Sequence, residues 1–176
     1  MTTLIDVQYI FDNTNIQKNV KGLDKDIILA QVLHIQPVIG KSLLDSLIFL
    51  IDNSLIVVGS PMDLLWKQLQ PCLAYWTYYE SVPFIHYKPT ENGFLTRTSG
   101  DNTPITEKEL ELIQTNIRNK AEIFMKIVLD YVEANINNFP QYQLEFKTKD
   151  TDQRKEIVRG GIFLPRRSGC NSTINF

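Results

Sequence analysis

Few residues of this 176-residue chain have both the type and the spacing that chemistry requires. The histidines are His34 and His86, and neither has an acidic or cysteine partner at metal-ligand spacing. Both read as structural. Cys72 lies in an apolar helical stretch and Cys170 in polar sequence near the end. Two cysteines so far apart make neither a disulfide framework nor a zinc knuckle, and Cys72 reads as a small buried hydrophobe. Glu107, Glu109 and Glu111 put three carboxylates close together, but residues two apart on a helix do not face each other. They read as a charged first turn, not an acid–base pair. The chain has no Gly-rich phosphate loop, no His-Glu-x-x-His and no nucleophile elbow. The reading is therefore against an enzyme, with no catalytic residue, no cofactor and no metal assigned. Residues 74–79 are rich in aromatic side chains on every face and would suit a base-stacking platform. No basic residue interleaves between Gln68 and His86, which favours core or subunit contact.

Composition bounds the rest. One domain with a tail fits the length, and 43% hydrophobic residues suffice for a real core. The formal net charge is -2, but it is uneven. From residue 146 onward there are seven basic and three acidic residues, a balance of +4, which leaves -6 for the body. An acidic body offers nucleic acid no general attraction. The N-terminus lacks a secretory pattern, and residues 43–58 are too short and too polar to span a bilayer, so synthesis in a reducing cytoplasm and no membrane are expected.

The elements that must position these residues are mostly helical. Thr106 with Glu109 forms a capping box, and Leu110, Ile113, Ile117, Ala121, Phe124, Val128 and Val132 recur at helical spacing. That predicts one long helix from 106 to about 138, stopped at Phe139-Pro140. Ser60-Pro61-Met62-Asp63 is a second strong start, for a helix to about 81 that Pro71 bends and Pro83 ends. Asp24 is the expected cap of an earlier helix that Pro37 kinks or splits, followed by a helical piece over 38–51 with room for a bend at Gly40. Residues 4–11 read as a short strand or extended lead-in, with Asn13 capping a short turn after it. Residues 84–88 and 94–98 read as strands joined through Asn92-Gly93, a hairpin signal. The fold class expected is mainly α: a helical bundle around one long C-terminal-half helix, with a β-hairpin insertion at about 84–98 and an extended C-terminal arm. The domain boundary falls at 140, with a basic arm over 141–176.

In that arm Phe146, Ile157, Ile162, Phe163 and Leu164 are apolar islands in charged sequence, and Tyr87 and Phe94 sit in the expected hairpin. Segments that cannot bury such residues internally dock elsewhere. These seven are the expected partner or oligomer interface.

The order of the elements is itself informative. Leu29-Ala30-Gln31, then Ile35-Gln36-Pro37-Val38-Ile39-Gly40-Lys41-Ser42-Leu43, then the run from Leu69 to Glu80 leading into Pro83-Phe84-Ile85, an Asn92-Gly93 turn, and Ile117-Arg118-Asn119-Lys120-Ala121-Glu122 follow one another. Over residues 1–140 this resembles the small helical head–tail connector proteins of tailed bacteriophages, including the neck or adaptor proteins of Bacteroidetes and crAss-like phages. The resemblance implies a structural virion protein, made in the host cytoplasm. It would form a ring, commonly a dodecamer, below the portal. Its partners would be copies of itself, the portal and neighbouring neck and tail proteins, with DNA passing through the channel without sequence-specific binding. A tail-completion or stopper ring at a neighbouring level of the neck is the alternative within that reading. Outside it stands a nucleic-acid-binding helical protein using the basic arm, whose affinity would fall steeply with salt. An enzyme with a site assembled from scattered residues is the third alternative.

Overall fold

A computed structural model describes residues 3–18, 20–90, 93–96 and 106–146, with the backbone alone at 86–90 and 93–96. Seven α-helices make up the described body: α1 (Val7–Asn13), α2 (Leu23–Ala30), α3 (Gln36–Ile39), α4 (Lys41–Asp52), α5 (Pro61–His86), α6 (Glu107–Ala134) and α7 (Pro140–Phe146). A π-turn over Gln31–Ile35 joins α2 to α3 without a break, and a 3-10 turn over Ile136–Asn138 joins α6 to α7.

The centre of the body is α5, not the longer α6. Leu65, Leu69, Cys72, Leu73 and Thr77 are fully buried along it, and Trp76, Ser81 and Val82 nearly so. Helices α1, α2 and α6 all pack on it. Helix α6 buries one stripe, Ile117, Ala121, Met125, Val128 and Val132, with Phe124 and Tyr131 half-buried beside it. A helix apolar on most sides must be surrounded, while one with a single stripe lies against a neighbour. Each buried aliphatic or aromatic side chain is worth about 1.5–3 kcal/mol relative to exposure, so the core holds α5 from several sides at once.

Both strong starts form as the caps dictate. Thr106 Oγ1 accepts from the Glu109 N–H, and the Glu109 carboxylate accepts from the Thr106 N–H. Ser60 Oγ accepts from the Asp63 N–H at 3.2 Å, while the Asp63 carboxylate takes the Gly59 N–H and the Lys67 ammonium, both at 2.8 Å. The ends differ from expectation. Helix α5 continues through Pro83 to His86, because a proline in the final turn forfeits only one backbone bond. Helix α6 stops at Ala134, where Asn135 turns the chain.

The start of the chain is helical rather than extended. Asp6 Oδ1 accepts from the Tyr9 N–H at 2.7 Å, a cap that founds α1. Asn13 closes that helix instead of opening another. Leu4 is pinned by its backbone: its N–H donates to Gln31 Oε1 at 3.0 Å and its carbonyl accepts from Trp66 Nε1 at 2.8 Å. At α2 the capping position is Gly22, in the left-handed region, and Asp24 falls inside the first turn.

The hairpin insertion expected at 84–98 is a correction to the fold class. Phe84, Ile85 and His86, expected in its first strand, are the last turn of α5. Beyond them the described backbone holds two four-residue segments, Tyr87–Thr90 and Gly93–Thr96, facing each other antiparallel and adding no layer to the helical body. The extended arm is corrected at its first residues too. Pro140 does not end the preceding helix, which stops at Ala134; it occupies the first position of α7, where its missing N–H costs nothing. Tyr142 and Phe139 are fully buried, so the body runs to Phe146.

Candidate functional site

A half-buried histidine–carboxylate pair sits where the π-turn meets α5. His34 Nε2 lies 2.7 Å from Glu80 Oε1, and each side chain is 21% exposed. The imidazole stacks on the Trp76 indole, with centroids 3.8 Å apart and planes 6° apart, and Tyr79 meets both rings edge-on. Trp76, Tyr79 and Glu80 come together because three and four residues span one turn of α5. His34 reaches them from the π-turn, which ends with the Gln36 N–H bonding the Gln31 carbonyl five residues back. Pro37, lacking an N–H, follows directly. Ring stacking of this kind adds about 0.5–1.5 kcal/mol beyond area burial.

Asp26 on α2 belongs to the same neighbourhood. Its carboxyl is pushed above the usual range by burial, and further by the charges of Glu80 and Asp24. An imidazole held by a carboxylate can relay a proton, and here it also ties the π-turn to α5. Among the described residues, no group of three or more His, Cys, Asp or Glu is placed to hold a metal. The Cys72 thiol is pushed up to about 12 by burial and stays protonated. The sequence shows no acidic partner for His34 at metal-ligand spacing. Glu80 lies 46 residues away in sequence, so no local spacing discloses it.

Two exposed apolar surfaces lie elsewhere. On α6, Leu112, Ile123 and Ile127 recur at whole-turn steps on the side opposite the buried stripe. The loop from α4 to α5 exposes Leu55, Val57 and Val58, with Phe49 one turn before the end of α4. The loop run was visible in the sequence. The outer stripe of α6 was not separated there from the inner one.

Of the seven expected interface residues, Phe146 is satisfied internally. Its ring lies 4.9 Å from that of Tyr142 and packs against the core. Gly40, with φ of 85°, makes room for it: a Cβ there would come within 2.9 Å of the Phe146 ring and would strike the Glu145 carboxylate. That carboxylate accepts from the Lys41 and Ser42 N–H groups at 3.2 and 3.3 Å and so closes the start of α4. Tyr87 and Phe94 fall within the backbone-only segments. Ile157, Ile162, Phe163 and Leu164 lie outside the described residues. Of the seven, Phe146 alone has a described side chain.

These features define a mainly helical body with exposed apolar faces and a histidine–carboxylate clasp. No helix among the described residues is long and apolar enough to cross a membrane. The chain belongs to DUF6712, a family of unknown function, which it matches over residues 35–152. No curated protein and no solved structure matches it.

Proposed function

We propose that this chain is a non-enzymatic structural protein that assembles with copies of itself into a ring in the neck of a tailed bacteriophage. The observation that carries the assembly is the pair of separate apolar surfaces, one on the outer side of α6 and one at the loop 55–58 with Phe49. Different patches on one chain suit a head-to-tail contact between copies, and such contacts close into rings when the rotation permits. The place in the virion rests on the resemblance over residues 1–140. The acidic balance of the body suits a channel that DNA slides through instead of adhering to.

The test is the mass of the purified chain in solution, alone and mixed with portal protein, by light scattering. A closed oligomer, either alone or appearing with portal, is expected. A monomer that ignores portal at every concentration overturns the reading. A salt-sensitive affinity for nucleic acid from such a monomer would favour the nucleic-acid-binding alternative.

A further inference from the structure

A third exposed surface flanks the His34–Glu80 clasp and does not depend on the ring reading. Leu29 and Leu33 are 40% and 52% exposed on the side of α2 and its π-turn beside Asp26 and His34. Phe84, 52% exposed, stands one turn beyond Glu80 on α5. The charge around this apolar edge is negative: Asp24, Asp26 and Glu80 stand against Lys25. The Asp26 carboxyl is shifted upward first by burial and then by the negative charges of Glu80 and Asp24.

The geometry points to the chain's own segment 154–167 as the occupant of this surface. That segment carries five basic residues against Glu156, and Ile162, Phe163 and Leu164 lie near its middle. Basic groups meeting Asp26 and Glu80, and apolar side chains meeting Leu33 and Phe84, form a complementary pair in both charge and hydropathy. The place where the described chain ends supports the match. Phe146 lies against Gly40, and Gly40 is about 10 Å along the helical path from Leu33. The eight residues from 147 to 154 span up to about 28 Å when extended. A segment tethered this closely has an effective concentration on the order of millimolar, so it outcompetes the same segment on a separate copy at ordinary protein concentrations.

The test uses the full chain as an equal mixture of ordinary and 15N-labelled copies, coupled with a zero-length carbodiimide and read by mass spectrometry. Coupling of Lys155 to Asp24, Asp26 or Glu80 within copies of one label is expected. It should fall at least five-fold in the double variant Leu33→Ser, Phe84→Ser. Both positions are exposed, and an unchanged thermal unfolding midpoint establishes that the variant keeps its fold. Coupling between copies of different label, coupling of Lys155 only to carboxylates on other faces, or a yield unaffected by the double variant would each overturn the assignment. Sedimentation of the same samples reports the oligomeric state, so failure here is distinguishable from failure of the ring reading.

Discussion

At the scale of single residues, Gly40 is the most constrained position. Its positive φ is costly for any side chain, and the Glu145 carboxylate and Phe146 ring occupy the space a Cβ would need. Gly40→Ala should lower stability by about 1–3 kcal/mol, measured by urea unfolding, whereas an alanine at Gly22, where nothing approaches, meets only the backbone cost. The sequence offered Gly40 as a place for a bend. What it withheld was the reason, since Glu145 and Phe146 lie more than a hundred residues further on. His34 teaches the same lesson. Local spacing said nothing of Glu80, which tertiary packing delivers from another helix.

Among the elements, the two strong helix starts at Thr106 and Ser60 were legible, while Asp24 and Asn13, also expected to cap, fall inside the first turn of α2 and at the end of α1. A side-chain oxygen three residues from the N–H it accepts is a local bargain that tertiary structure seldom overrides, and both Thr106 and Ser60 keep it. The stops were less legible, because a proline forbids a bond and a conformation rather than a helix: Pro83 sits inside α5 and Pro140 begins α7. Residues 4–11 read as a short strand or extended lead-in, and the Asp6 cap prevailed. The cap of α5 also carries a pH dependence. Hydrogen bonds from Lys67 and from the Gly59 N–H hold the Asp63 carboxyl below the usual carboxylate range. The folded chain therefore releases this proton more readily than the unfolded one, and the stabilisation is complete above the unfolded value of about 3.9. It is lost as pH falls through the lower folded value. Asp63→Asn should be less stable than the wild type at pH 7, with the gap closing below about pH 4, as measured by urea unfolding at each pH.

At the scale of the whole molecule, the helical class and the acidic body could be read from composition and periodicity. The centre of the fold could not. The long α6 advertises itself through its cap and length, but burial is decided by how many sides of a helix are apolar, and α5 wins on that count. For the same reason the outer stripe of α6 stayed hidden behind the inner one. Ile123→Asp puts a charge on that stripe, where it is solvated in an isolated chain and stripped of water in a contact. The unfolding free energy of the single chain should change by no more than about 0.5 kcal/mol. The light-scattering mass of the assembled form should fall toward that of one chain. An oligomer as large as the wild type's would place the contact elsewhere.

The carboxylate that closes the start of α4 has a consequence for biosynthesis. Lys41 and Glu145 are separated by 104 positions. At about 5–20 residues per second, the ribosome needs roughly 5–20 s to make the stretch between them. From the completion of α5 until residue 139 is made, the nascent chain contains α4 and α5 but lacks both the group that closes α4 and the Phe139 and Tyr142 side chains that complete the core. The body therefore finishes folding only when the last helix leaves the exit tunnel. A translation pause placed before residue 139 would hold it open to chaperones and proteases, while the same pause once the last helix has left the tunnel would not.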